Sequence, residues 1–102
     1  MTDGQDNIGM RWALMLVLYE LYYVDSIEDA KFNENTERYY RQMPLEKRRR
    51  IHKGMAWALD NPGLEFNMFL PNQTRFSNAA IVGFIDRMKR GFEEFQLIEA
   101  ES

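Results

Sequence analysis

The stretch "WALMLVLYELYYV", residues 12–24, decides the fold class because it is apolar around nearly its whole helical circumference. It is thirteen residues long, and Glu20 is its only charged side chain. A membrane-spanning helix needs about 20 apolar residues, so this segment is too short to cross a bilayer. A helix that is apolar on all sides lies at the centre of a bundle or is shared with another chain. We therefore expect a central helix from about Ile8 to Val24, capped by Asn7 or Asp6.

Two similar hexamers contain both tryptophans of the chain. "GMRWAL" at residues 9–14 holds Trp12, and "GMAWAL" at residues 54–59 holds Trp57. The similarity does not extend beyond the hexamers, whereas a repeat architecture needs three or more similar units. We interpret them as one packing solution used twice, in which glycine permits close approach of a neighbouring helix and the larger side chains fill the space around it.

Short helices are predicted after the central one. One is expected over 27–32, and a second is expected over 35–42 with Asn35 as its N-cap. The alternative is one continuous helix through both segments. Pro44 suits the first position of a longer helix, because its missing N–H would have no partner there. The segment "DNPG", residues 60–63, should end that helix, since proline cannot continue it.

The last helix has the clearest amphipathic pattern in the chain. It should begin near Thr74 or Ser77 and end at about Leu97. Its apolar stripe has helical spacing throughout and consists of Ile81, Phe84, Ile85, Met88, Phe92 and Phe95. The chain of 102 residues is large enough for one core. The sequence therefore predicts a single all-α domain, residues 1–102, of three main helices and one or two short ones, with residues 1–7 and 98–102 frayed.

Composition excludes several classes of site. Cysteine is absent and His52 is the only histidine, which removes disulfides, thiol nucleophiles and the common zinc sites. A signal peptide begins with basic residues followed by an apolar segment, whereas the first residues here, "MTDGQDN", are acidic and polar. No phosphate-binding glycine motif occurs. We expect a cytoplasmic protein without a metal, a cofactor or a membrane segment.

Two residues are the candidates for acid–base chemistry. Glu20 lies in the apolar helix, where burial would raise its pKa as in catalytic acids. His52 follows the basic run "EKRRR", residues 46–50. No second catalytic group accompanies either one. We therefore favour a carboxylate paired with an arginine or a tyrosine for Glu20, a surface histidine for His52, and no catalytic residue.

Charge is divided between two adjacent blocks. Residues 20–37 carry six acidic side chains against one lysine, whereas residues 38–53 carry seven lysines and arginines against one glutamate. The blocks either neutralise each other within the fold or present a polarised surface to a partner. Within the basic block, Arg48 is the arginine closest to the apolar face of its helix.

Tyrosines beside arginines favour a contact surface, because these residues contribute much of the energy at protein interfaces. In "RYYR", residues 38–41, the two tyrosines point about 100° apart on a helix, so at least one should be partly exposed. We predict a surface that docks on an acidic patch of a partner protein and consists of Arg38, Tyr39, Tyr40, Arg41, Arg49, Arg50 and Lys53.

The sequence thus predicts a non-enzymatic protein–protein interaction module. It would bind a partner and block or adapt it, as inhibitors, immunity proteins, adaptors and phage-encoded regulators do. The alternative is a nucleic-acid-binding regulator that uses the basic helix 45–53, although a sequence pI of about 5.1 disfavours it. Homodimerisation through Leu16, Val17 and their neighbours is a further possibility, because the central helix has more apolar surface than one layer of neighbours covers.

Overall fold

The computed structural model describes residues 2–19, 21, 31–66 and 76–99. Across these ranges all regular structure is helical, which confirms an all-α fold with three longer helices and a short one. The first predicted short helix lies mostly outside the described residues, and Lys31 and Phe32 at its end are not helical. The helices are α1 (Thr2–Leu18), α2 (Glu34–Arg41), α3 (Leu45–Asp60) and α4 (Asn78–Glu94).

The beginning of α1 differs from the prediction. The helix begins at Thr2, not near Ile8, so Asp6 and Asn7 lie within it and neither is its N-cap. Negatively charged residues are favourable in the first turns of a helix, where the backbone dipole is positive, and they need not mark its boundary. The helix ends at Leu18, and most of the predicted extension to Val24 lies outside the described residues.

The N-caps of α2 and α4 are side chains that bind free backbone amides. Asn33, two residues before the predicted Asn35, caps α2: its Oδ1 accepts from the backbone N–H of Thr36 at 3.1 Å. Ser77, one of the two residues near which α4 was expected to begin, is its N-cap, and its Oγ accepts from the backbone N–H of Ala80 at 3.1 Å. These bonds satisfy donors that the first helical turn leaves without an intrahelical partner.

The boundaries of α3 agree closely with the sequence. Pro44 is its N-cap residue, one position before the place predicted for it, and the helix ends at Asp60 immediately before Asn61 and Pro62. A proline at the start removes no helical hydrogen bond, and a proline after the end prevents continuation.

The core forms where α3 packs against both α1 and α4. The first five residues of the predicted α4 stripe are buried, and Phe95 is half-buried. From α1, Val17 is fully buried, but Leu16 is 36% exposed, so α1 is covered on one side only. The prediction of α1 as the central helix is therefore wrong: α3 is the helix that packs against the three others. The buried apolar residues of α1 and α3 are Ala13, Leu14, Val17, Leu18, Ile51, Met55 and Ala58.

The second hexamer confirms the interpretation that its glycine permits close helix packing. The first hexamer takes part in the same contact, but its glycine and its tryptophan do not have the predicted roles. A Cβ built on Gly54 would lie 2.9 Å from the carbonyl oxygen of Met10, so α3 approaches the backbone of α1 closely at this point. The two hexamers therefore meet across the same helix contact. Gly9 has nothing within 4 Å of such a Cβ, and Trp12 is 65% exposed and does not fill the core.

An aromatic cluster closes the other side of α4. The ring of Phe32 stacks on Phe95 with centroids 5.3 Å apart and meets Phe92 edge-on at 5.9 Å. This ring lies directly over Gly91, where a Cβ would overlap it. Gly91 thus permits the close approach of the Phe32 ring, whereas Gly83, in the same helix, has nothing within 4 Å.

The two α4 glycines should respond oppositely to alanine. Gly83→Ala should raise the free energy of unfolding by up to about 1 kcal/mol, because alanine is the better helix former and meets no neighbour. Gly91→Ala should lower it by about 1–3 kcal/mol, because the Phe32 ring must move. Urea unfolding of both variants measures the difference, and a Gly91→Ala protein as stable as Gly83→Ala would contradict the packing described.

Candidate functional site

The two adjacent tyrosines of the predicted contact surface differ completely in solvent exposure. Tyr39 is 55% exposed, which agrees with the expectation that at least one of them reaches solvent. Tyr40 is fully buried, with its ring centroid 4.9 Å from that of Phe92. Because Tyr40 belongs to the core, we remove it from the predicted contact surface.

Three arginines bind the turn that follows α4. Arg41 donates from Nη2 to the carbonyl oxygen of Phe95 at 2.7 Å. Arg48 donates from Nη1 to Leu97 at 3.0 Å, and Arg49 donates from Nε to Ile98 at 2.9 Å. Arg41 and Arg49, which the sequence assigned to a partner, therefore already bind the protein's own backbone.

Arg48 is the charged side chain that is buried among the described residues, with 5% exposure. Its Nε donates to the carbonyl oxygen of Met43 at 2.9 Å, in the turn between α2 and α3. Arg48 therefore links that turn to the turn after α4, where it binds Leu97. This burial agrees with its predicted position nearest the apolar face of α3.

The turn after α4 has the geometry of a Schellman motif. The backbone N–H of Leu97 donates to the carbonyl of Phe92 at 2.9 Å, and that of Gln96 donates to Glu93 at 3.2 Å. Gln96 takes the left-handed conformation with φ of 57°, a position that glycine usually occupies. The chain thus turns back over α3, and its carbonyls face the arginines.

The remaining predicted residues lie in two different places. Arg38 lines a shallow pocket together with Glu34 and Glu37, so its surroundings are of mixed charge. Arg50 and Lys53 line a second concave surface, on α3. The Arg50 side chain is 63% exposed, and its Nη2 lies 3.7 Å from Glu46. The exposed cations that a partner could reach are therefore concentrated on α3.

Sequence reasoning missed a groove between α1 and α3. It has a volume of about 400 Å³ and a mainly apolar lining. Trp12 and Leu16, one helical turn apart on α1, are 65% and 36% exposed, and Tyr19, directly after the end of α1, is 42% exposed. The groove is lined by Gly9, Trp12, Ala13, Leu16, Lys47, Arg50 and Ile51.

The apolar circumference of α1 was the feature that could have revealed this groove. It showed that one layer of neighbours would leave apolar surface uncovered, but not which residues would remain outside. Val17, predicted as a homodimer contact with Leu16, is fully buried and is not available to a second copy. Here the exposed large hydrophobic residues are instead Trp12 and Leu16 on α1 and Tyr19 directly after it.

The acid–base candidates do not form a common site among the described residues. Glu20 lies outside those residues. His52 is half-buried, and its Nε2 lies 2.9 Å from Oε2 of Glu93 across the contact between α3 and α4. The same Glu93 oxygen accepts from Nζ of Lys89 at 2.7 Å. His52 is thus part of an interhelical network and not the solvated surface residue that we expected.

Within the described residues, no group of three or more histidine, cysteine, aspartate or glutamate side chains could hold a metal ion. None of the helices formed by these residues is long and apolar enough to cross a membrane. No protein-family model, curated protein or solved structure matches the chain.

Replacing Arg48 should be far more costly than replacing its neighbour. Arg48→Met should lower the free energy of unfolding by about 2–4 kcal/mol, because the carbonyls of Met43 and Leu97 lose a buried donor. Arg49→Met should change it by less than about 1 kcal/mol, because its bond is exposed and water can replace it. Chemical unfolding of both variants tests this, and equal losses would show that burial of Arg48 is not decisive.

The Glu93 network should give a recognisable pH dependence. Hydrogen bonds from Lys89 and then from His52 lower the pKa of Glu93 below its ordinary value. The stabilisation is therefore present above the unfolded-state pKa of about 4.3 and is lost as the pH falls through the lower folded-state pKa. Glu93→Gln should be less stable than wild type at neutral pH and nearly equal to it in strong acid.

Glu94→Gln is the matched control for the pH experiment. It removes the same charge from the same helix and leaves the contacts of Glu93 intact. Thermal unfolding as a function of pH compares the three proteins. A wild-type advantage over Glu93→Gln that stays constant down to strong acid would contradict the assignment.

Proposed function

We propose that this protein is a non-enzymatic protein–protein interaction module that binds a partner and blocks or adapts it. The observation that carries the proposal is the groove between α1 and α3, where an exposed tryptophan and leucine lie beside exposed cations. Contiguous exposed apolar surface rimmed by polar groups is typical of interaction sites on soluble proteins. The absence of cysteine supports a reducing, cytoplasmic setting.

Trp12 is the proposed anchor of the interface. It is 65% exposed, and tryptophan, tyrosine and arginine are the residues whose truncation most often costs binding energy at protein interfaces. Leu16 extends the apolar surface by one helical turn, and Arg50 provides an exposed cation on the opposite wall. The proposed contact surface thus moves from α2 to the groove, and it keeps Arg50 from the predicted set.

Lys53 and Arg49 extend the cationic side of this surface. Both are exposed, and both line the concave surface on α3 together with Arg50. Positive charge there favours a partner with an acidic patch, since complementary charge steers association and disfavours wrong partners. Arg38 and Tyr39 are exposed on α2 and form the competing contact surface.

Nucleic-acid binding is the second candidate function. Its support is that the exposed cations of α3, Lys47, Arg49, Arg50 and Lys53, are not buried against the chain's own carboxylates. Such a row of positive side chains is suited to phosphate contacts. The net charge of −3 argues against it, because nucleic-acid-binding domains are usually basic.

Truncating two exposed aromatic residues should separate the competing protein-binding surfaces. Trp12→Ala should weaken binding of a partner by about tenfold or more, because the anchor of the groove is lost. Tyr39→Ala, which removes an exposed aromatic from α2, should change the affinity less than about threefold. Partners are first captured from native lysate with the wild-type protein, and a purified one is then titrated calorimetrically against all three proteins.

The outcomes of this experiment separate the surfaces and the functions. Loss of binding in Tyr39→Ala alone would return the interface to α2. Binding that survives both truncations would refute the groove as the interface. Binding of nonspecific DNA or RNA at low salt that falls steeply towards moderate salt would favour the nucleic-acid function instead.

A further inference from the structure

We infer that the groove between α1 and α3 receives an amphipathic α-helix of the partner whose side facing α3 carries aspartate or glutamate. This inference rests on the proposed function and specifies the chemistry of its partner. It is carried by the helical spacing of the residues on both walls, by the different character of the two walls and by the absence of acidic side chains among the described residues that line the groove.

The groove has the shape that an additional helix fills. Its α1 wall consists of residues at spacings of three, one and three, from Gly9 to Leu16, and its α3 wall repeats the spacings of three and one from Lys47 to Ile51. Ridges with this spacing on two neighbouring helices leave a channel that accepts the ridge of a third. The buried residues Ala13 and Ile51 form the floor.

The floor and the α1 wall define the apolar side of the ligand. Ala13 is 4% exposed and Ile51 is fully buried, so neither adds a polar group to the channel. Trp12 and Leu16 rise beside them and remain accessible. A helix that places apolar residues at intervals of three and four would cover this surface, as in other helix-in-groove complexes.

The α3 wall defines the charge of the ligand. Lys47 and Arg50 are exposed, and the described residues that line the groove include no acidic side chain. Arg50 lies 3.7 Å from Glu46, but both side chains are largely exposed, at 63% and 87%, and such a pair is weak. An incoming carboxylate can therefore bind Arg50 at little cost. The α1 wall offers no matching cation, so the acidic residues belong on one side of the ligand helix.

A second copy of this chain fits the groove less well. A two-fold dimer apposes the same surface of both subunits, so the cationic α3 wall would face its own copy. Among the described residues of the lining, no carboxylate is present to neutralise that charge. An acidic helix from a different protein supplies the missing charge.

Three synthetic peptides of about 18 residues provide the test, since shorter isolated helices are marginal in water. The first has a leucine stripe at helical spacing with glutamate along one side. The second has lysine in place of those glutamates, and the third has the composition of the first with the helical spacing destroyed. Binding is measured by fluorescence anisotropy at constant ionic strength.

The glutamate peptide should bind about tenfold more tightly than the lysine peptide or the rearranged peptide. The double variant Lys47→Glu/Arg50→Glu should reverse the preference between the first two peptides. The control variant Arg38→Glu/Arg90→Glu makes the same change in net charge at other sites and should keep the wild-type preference. Circular dichroism and unfolding confirm that each variant retains the native fold.

Several results would overturn the inference. These are equal binding of the glutamate and lysine peptides, equal binding of the rearranged peptide, and a preference that the groove double variant leaves unchanged. A concentration-dependent dimer that Trp12→Ala abolishes would assign the groove to a second copy. An oligonucleotide that displaces the peptide, and whose binding Trp12→Ala abolishes, would assign the groove to nucleic acid.

Failure of the inference can be distinguished from failure of the proposed function. If a captured protein partner depends on Trp12 but the glutamate peptide has no advantage, the acidic helix is wrong and the interaction module stands. If no protein partner depends on Trp12 and no peptide binds, both are wrong.

Discussion

The buried guanidinium of Arg48 is the constraint on which the arrangement of α2, α3 and the end of α4 depends. It donates to Met43 in one turn and to Leu97 in another, so a single side chain fixes two irregular segments against α3. Burying a charge is costly unless its hydrogen bonds are satisfied. The geometry of both turns is therefore coupled: each must present a carbonyl to the same planar group.

The turn after α4, which Arg48 binds, also determines which arginines remain accessible to a partner. The Schellman turn after α4 leaves the carbonyls of Phe95, Leu97 and Ile98 directed towards α2 and α3, where Arg41, Arg48 and Arg49 bind them. Positive charge at the end of a helix is also favourable to its dipole. In the basic block, Arg41 and Arg48 thus hold the fold together, whereas Arg50 and Lys53 face solvent. Arg49 belongs to both groups, because it binds Ile98 and is itself exposed.

Periodicity was sufficient to predict the helices that pack, and it was insufficient to predict which polar side chains remain free. The α4 stripe and the end of α3 at Asp60 follow from local spacing and from proline, so the sequence alone predicts them, whereas it left the start of α4 open between Thr74 and Ser77. The burial of Tyr40 and the contacts of Arg41 and Arg49 depend on residues more than forty positions away. No local pattern contains that information.

The close contact at Gly54 explains why the groove exists beside it. Because Gly54 lets α3 approach the backbone of α1, Ala13 and Leu14 are buried in the contact. The residues beside them on the circumference of α1 lie outside this contact. Trp12 and Leu16 are therefore left exposed by the same packing that makes the core tight. On α3, Lys47 and Arg50 flank the contact in the same way. An apolar wall opposite a cationic wall is thus a consequence of how the two hexamers meet, and it gives the proposed interface both its anchor and its charge preference.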